Sequence, residues 1–559
     1  MLTIALCVLF FLLYFTGIGL LLPFRLLRPT HFFNDLLAAF WLGLAAAVAF
    51  LQLWHFLLPV SLLTWGLLLA VSLLGWARSA RAAWAWLRGH SLRRVLTLLA
   101  LTAPALLILS NQAIWGEVHF DHGLYHLQTV KWIETYAIVP GLGNLHHRFA
   151  FNNSSMLYAA LLNPGFFRGL AFYTASTLTI FAVLLRCFSA LARLVEERGA
   201  LRPTDLFYAL FTPFLLWFTV NSTFTGYSPD IFTFAVQTVL AGELIALFTR
   251  DPADTALLRA SLTRIVILAA LAVTVKLSGA VFAAAVLLAA FIYYLVRTPR
   301  FAGKGRAVFG WLGLGALFVL PWLARSVILS GYLLYPSPLI SFNVPWKIPI
   351  QMVEPIAPII RLWATYGSAT IPDISFFEWL ATWSKKVPFE IKEGAFYLVA
   401  LLGLTLLLRL VSRRLQRQSG APLAVLAVSL VSLVYWGFMA PDVRFMGAAF
   451  WLAVTAALIL FIQQLMALKL VKSLNLLTAA VMLVVLFWLS PNFTNQIARD
   501  YLITPPLETF IAEQSVKEEP QPFQVTQSGL TVYTPKDYSL EACWDAPLPC
   551  TRLNDYDGR

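Results

Sequence analysis

The sequence predicts an all-α, polytopic membrane protein with about fourteen transmembrane helices, and three observations carry that prediction. Of its 559 residues, 60% are hydrophobic and 12% charged, and the mean hydropathy is +0.76. The apolar residues fall into runs of about 20, the length that spans roughly 30 Å of hydrocarbon. The basic residues collect in alternate connections between those runs.

The runs are 1–22, 34–58, 60–76, 95–110, 169–192, 205–222, 229–249, 264–276, 278–296, 307–324, 395–412, 422–440, 445–466 and 473–490. The first lacks a basic n-region and a small-residue cleavage site, so it reads as a retained span. The stretch 264–296 is one apolar run interrupted at Val275–Gly279. Reading it as two short helices keeps the downstream charge pattern in register. Between the third and fourth runs, Ala77–Arg94 carries Arg78, Arg81, Arg88, Trp84 and Trp86. That composition suits a helix lying at the membrane interface.

Charge assigns the sides. One set of connections holds 23 basic residues against six acids; the other holds 16 basic against 20 acidic. Short connections rich in Lys and Arg stay cytoplasmic. Both termini and the polar segment His119–Asn153 then face outward. The formal charge of +13 is a topology signal and implies no nucleic-acid partner.

His119–Asn153 is the only long polar segment before residue 330 and holds five of the eight histidines. Leu124, Leu127, Val130 and Ile133 recur at helical spacing, which predicts an interfacial helix over about 122–137. Pro140, Gly141 and Gly143 then open a loop. A second outward block, Gly331–Glu393, predicts short helices around Arg361, Asp373, Lys385 and Lys386. A third, Pro491–Arg559, is a polar tail with one strand-like run, Leu530–Tyr533. Cys7 and Cys187 read as apolar filler within spans. Cys543 and Cys550 flank WDAPLP in an oxidising compartment, where a disulfide is favoured over two free thiols. The domains are then an N-terminal three-helix extension 1–94, a transmembrane module 95–330 with outward loop 111–153, an outward loop 331–393, C-terminal helices 394–490 and an outward tail 491–559.

Chemistry concentrates on the outward face. Asp121 opens the interfacial helix, where a carboxylate serves as an N-cap or, held in a reproducible position, as a general base. His119, His122 and His126 raise a metal site: their spacing resembles part of a zinc site but lacks its usual glutamate partner pattern, so no metal is expected. Lys276, Arg325 and Arg444 sit at helix ends or connections and Arg148 lies in the polar segment. Each cation is either a snorkelling anchor or part of a phosphate clamp. Asp230, in the turn Asn221–Asp230, and Asp442 either cap helices or meet these cations and sugar hydroxyls. No glycine-rich phosphate loop is present, so neither a nucleotide nor any other cofactor is expected.

HFDHGLYHLQ, with its acidic residue in an outward loop near a surface helix, resembles the GT-C superfamily of integral-membrane glycosyltransferases. That superfamily includes the protein O-mannosyltransferases and the aminoarabinose transferase. FDHGLYHLQTVKWIE, VPGLGNLHHRFAFNNSS, RSVILSGYLLYPSP, APDVRFMGA and CWDAPLPC more narrowly resemble an uncharacterised bacterial membrane-protein family in that neighbourhood. The resemblance implies a GT-C-like fold and an inverting glycosyltransferase in the bacterial cytoplasmic (inner) membrane, its active site facing outward. A polyprenyl-phosphate-linked sugar would be the donor, and a lipid, glycan or protein hydroxyl the acceptor. Asp121 would be the general base. His122, His126, His147, Arg148, Asn152 and Asp230 would bind substrate, and Lys276, Arg325 and Arg444 the lipid phosphate. The rivals are a polysaccharide polymerase or ligase, and a lipid-linked glycan transporter.

Overall fold

A span inside hydrocarbon must satisfy its own backbone hydrogen bonds, so long apolar runs become helices. The computed structural model describes residues 1–22, 32–89, 92–115, 119–196, 202–222, 224–298, 304–368, 374–411, 420–470, 478–487, 521–525, 531–534 and 542–551. Twelve helices among them are long and apolar enough to cross a membrane. The chain is therefore a multi-pass, all-α membrane protein.

The first four helices are α1 (Leu2–Leu20), α2 (Phe32–Trp54), α3 (Leu62–Gly89) and α4 (Leu92–Trp115). α1 crosses α2 and α3 on glycines. A Cβ on Gly19 would stand 1.9 Å from the Ala39 carbonyl oxygen, and one on Gly75 1.8 Å from that of Gly17. Such contacts let helix backbones approach closely where no hydrophobic effect drives association. The Arg/Trp-rich stretch after the third run differs from expectation. α3 continues through it to Gly89, because nothing in Ala77–Arg88 breaks a helix, and no separate interfacial helix forms before that point.

The outward segment contains α5 (Leu127–Thr135), followed by α6 (Ser154–Leu161). Beyond it lie α7 (Ala171–Glu196), α8 (Pro203–Asn221), α9 (Pro229–Phe248), α10 (Thr255–Val275), α11 (Ala280–Arg297) and α12 (Lys304–Ser330). The run 264–296 is indeed two helices, joined by a single turn at Leu277–Gly279. α10 begins nine residues earlier than expected, because Asp254 caps it by accepting from the Leu257 N–H at 2.9 Å. Arg264 therefore lies in the helix, not in a connection, and donates to Glu243 at 2.9 Å.

Residues 331–393 form short helices, α13 (Ile350–Val353), α14 (Ile356–Tyr366) and α15 (Phe376–Lys386). Ser375 and Glu378 close a capping box on α15, a reciprocal pair that starts a helix. α16 (Phe389–Val411), α17 (Gly420–Met439) and α18 (Ala449–Ala467) complete the long helices.

Two expected spans are not among the twelve. α8 has 19 residues with Pro213 inside it, and its sequence is less apolar than the others. The last run is represented by Thr478–Phe487, with its flanks outside the described residues. Asp373 also lies outside them.

One apolar core runs from Met1 to Val485, so the N-terminal helices share it with the rest. A smaller cluster around Leu124, Phe149, Leu329, Tyr332 and Ile348 lies under the polar segment. In the tail, β1 (Gln521–Val525) pairs antiparallel with β2 (Thr531–Thr534). Cys543 and Cys550 are joined in a disulfide, and its loop is tied to β2 by the Tyr533 N–H donating to Pro549 O at 2.9 Å.

Candidate functional site

Five separate parts of the chain meet at one ionic cluster. Asp121 lies where α4's successor segment enters a wide helical turn, His122–His126, which leads into α5. Its backbone is already helical and its side chain caps nothing. The carboxylate instead accepts from Arg148 Nη1 at 2.8 Å and Arg444 Nη1 at 3.2 Å, with His119 Nδ1 at 3.4 Å. Burial alone would raise the Asp121 pKa, but the charges of Arg444 and Arg148 outweigh it and hold the carboxyl below its usual range. Asp121 is thus an anion across the ordinary pH range.

Asp230, in the first turn of α9, is also spent on cations rather than on capping. It is ion-paired with Lys276, and Arg444 Nε stands 3.9 Å away. Lys276 is placed by the break between α10 and α11. Phe445 lies beneath both cations, with Lys276 Nζ 4.5 Å and Arg444 Cζ 4.7 Å from its ring centroid. Asp442 does what a bland reading predicts: it caps the turn Val443–Met446 by accepting from the Arg444 N–H at 2.8 Å. Burial lowers the Arg444 pKa, yet Asp230, Asp121 and Asp442 together raise it.

The cluster is open. Side-chain exposure is 35% for Arg444, 29% for Arg148 and 15% for Asp121. Three cations and two carboxylates gathered from residues 121 to 444, and left partly open, make this the candidate site.

Arg325 does not join this group. It lies near the end of α12, 4% exposed, donating from Nη1 to His55 Nδ1 at 2.8 Å and from Nε to Asn152 Oδ1 at 3.2 Å. Asn152 has φ 51°, a left-handed conformation that Asn tolerates better than most residues. It is locked there by donating to Trp322 O at 2.7 Å and accepting from Trp322 Nε1 at 2.8 Å. Arg325, Arg148 and Asn152 line a cleft together with His55, Tyr125 and Trp132.

The histidines pack in two pairs. His122 and His126 are buried, with their Nδ1 atoms 2.7 Å apart. Burial lowers the His122 pKa to about 3 and that of His126 well below the usual value, so both are neutral. His147 stacks on His146, ring centroids 5.0 Å apart, and His146 Nδ1 accepts from the Arg148 N–H at 3.1 Å. That contact orients Arg148 rather than a ligand. Among the described residues no group of three or more His, Cys, Asp or Glu is arranged to hold a metal.

Sequence reasoning missed His55, Phe445 and the tail. His55 gave one signal, a polar residue at the end of an apolar run. The tail loop gave none. It lies over the His122–His126 turn, where the Trp544 N–H donates to Gly123 O at 2.9 Å. A Cβ on Gly123 would stand 2.4 Å from the Trp544 ring. Gln128 Nε2 donates to Trp544 O and Ala546 O, and Lys131 Nζ to Asp545 Oδ1 at 3.0 Å.

Residues 1–451 match the family model described as a domain of unknown function, DUF8201. The chain belongs to that family. The matched region contains every member of the ionic cluster and of the Arg325 cleft, and it ends before the tail loop. Among curated proteins and solved structures, none matches.

Proposed function

We propose that this DUF8201 protein is an inverting glycosyltransferase of the GT-C type. It would move a sugar from a polyprenyl-phosphate donor to an acceptor hydroxyl at the outer face of a bacterial cytoplasmic membrane. The observation that carries this reading is the state of Asp121: an ionised carboxylate, free of capping duty, held between two cations at the mouth of membrane helices. The link to the GT-C class is a sequence resemblance, and fold-level likeness alone does not assign chemistry.

In this mechanism the acceptor oxygen attacks the anomeric carbon from the face opposite the phosphate. Its proton passes to Asp121. The bond between the anomeric carbon and the phosphate oxygen breaks, its electron pair leaves with the phosphate, and configuration inverts. The leaving phosphate gains a negative charge, which Lys276 and Arg444 stabilise where it develops. Arg444 is the more exposed partner of Asp121 and makes the longer contact. Its transfer to the donor phosphate would free Asp121 Oδ2. Losing that cation raises the carboxyl pKa, so donor binding itself prepares the base.

The test is a deletion strain complemented with wild-type or Asp121→Asn protein. Wild type should restore one sugar to the surface glycans. Asp121→Asn, expressed at equal level, should not, and the lipid-phosphate sugar should accumulate. Full restoration by Asp121→Asn would end this mechanism. Shortened glycan chains with unchanged sugar composition would point to a polymerase or ligase instead.

A further inference from the structure

Three arginines are buried among the described residues, and they differ in their partners. Arg193 (1% exposed) closes on Asp205, with Nε–Oδ2 2.9 Å. Arg264 (6%) closes on Glu243. Arg325 (4%) has no carboxylate partner, only His55 and Asn152. His55 is neutral: burial and the nearby Arg325 charge lower its pKa to about 3. Its tautomer follows from the contacts. Nδ1 accepts from Arg325, so Nε2 carries the proton and donates to Tyr136 O at 3.1 Å. A buried guanidinium held only by neutral acceptors retains its full charge, and a buried charge without a counter-ion is costly.

That uncompensated charge faces a cavity. Nε and Nη1 of Arg325 are engaged, and Nη2 has no protein partner among the described residues. The same cleft is lined by a second cation, Arg148, and by Tyr125 and Trp132. Aromatic faces suit a sugar ring, and a guanidinium fork suits a planar oxyanion. Arg148 connects the cleft to the ionic cluster, because the same side chain donates to Asp121.

We propose that the Arg325 cleft binds an oxyanion carried by the saccharide substrate, so that the enzyme handles an acidic sugar, with Arg325 as its specificity residue. This rests on the glycosyltransferase reading for the word substrate, but the binding site stands on its own geometry. The oxyanion is a sugar carboxylate or a sugar phosphate. The lipid phosphate occupies the separate Lys276–Arg444 cluster.

Thermal stabilisation of the purified full-length protein in detergent tests the proposal without turnover. The probes are glucuronate, glucose 6-phosphate, glucose and inorganic phosphate. Glucuronate or glucose 6-phosphate should stabilise wild type and glucose should not. Arg325→Met should weaken that binding about 30-fold or more, the loss expected for a buried charged hydrogen bond. Arg325→Lys keeps the charge without the fork and should fall between, which controls for misfolding of the methionine variant. Arg444→Ala should leave the acidic sugars bound while weakening inorganic phosphate. Three results would overturn the proposal: equal stabilisation by glucose, acidic-sugar binding that survives Arg325→Met, or inorganic phosphate as the only probe that depends on Arg325. Full transfer by Asp121→Asn with acidic-sugar binding still dependent on Arg325 would overturn the glycosyltransferase reading and leave the binding site standing.

Discussion

Among the described residues Asp205 and Asp121 each sit between two arginines, and their surroundings are built differently. In one, Asp205 accepts from Arg186 at 3.0 Å and from Arg193 at 2.9 and 2.5 Å, with Arg193 1% and Asp205 5% exposed. In the other, Asp121 holds Arg148 and Arg444, which are 29% and 35% exposed. The first is sealed, so it can only stabilise. The second has accessible cations, so a ligand can enter and repartition the contacts. Sequence separation follows the same division. Arg186 and Arg193 lie two turns apart on α7, and Asp205 opens the next helix. The partners of Asp121 lie 27 and 323 residues away.

Replacing each aspartate is the strongest way to break the comparison. Asp121→Asn should lower transfer by about 10²–10⁴-fold, the range for loss of a general base, with little change in melting temperature. Asp205→Asn should instead lower the melting temperature, with activity falling only as folded protein is lost. If both variants behave alike, the two clusters share one role and the contrast is wrong.

The arginines sharpen it next. Arg193→Met removes one partner of a buried ion pair and should cost about 3–5 kcal/mol of stability, read by denaturation in detergent. Arg444→Ala should cost less than about 1 kcal/mol. Its effect should appear in transfer, about 10²-fold or more.

Acid should distinguish the ends by a smaller amount. His122 and His126, beside the open cluster, and His55, in the Arg325 cleft, are held neutral when folded, with His55 and His122 at about 3. Each takes up a proton on unfolding once the pH drops below about 6.5. Their stability contribution is therefore whole above that pH and is lost progressively toward the folded values. Glu134 opposes them, because burial raises its pKa to about 7 and the folded state binds its proton first. A melting temperature that falls from pH 7 to 5, more steeply in Glu134→Gln, is the expected result. A flat profile in both proteins would show that the histidines titrate freely.

The smallest effect concerns the tail. Gly123→Ala drives a methyl group into Trp544 and should cost about 1–3 kcal/mol, as overpacking does. Amide hydrogen exchange across residues 542–551 should speed up while the membrane helices are unchanged. Unaltered exchange there would mean that the loop does not depend on this contact.

Much of this protein was legible in its sequence, and particular residues show why. The division of 264–296 at Lys276 came from charge register, and the short helices of 331–393 from composition. Asp121, Arg148, Lys276, Asp230 and Arg444 were selected because polar residues next to apolar runs are conspicuous. Hydropathy, helix period and the sign of a connection are properties of neighbouring residues, so they can be read in one dimension. Pairing is not. That Asp121 declines to cap a helix, that Arg325 stands apart with His55, and that Trp544 covers Gly123 depend on contacts across 27 to 421 residues of chain. Helix packing decides those contacts, through close approaches such as Gly19 on Ala39. The sequence by itself determined a membrane bundle with polar, charged connections. Only the tertiary structure decided which charges are sealed, which are open, and that Arg325 has no carboxylate partner among the described residues.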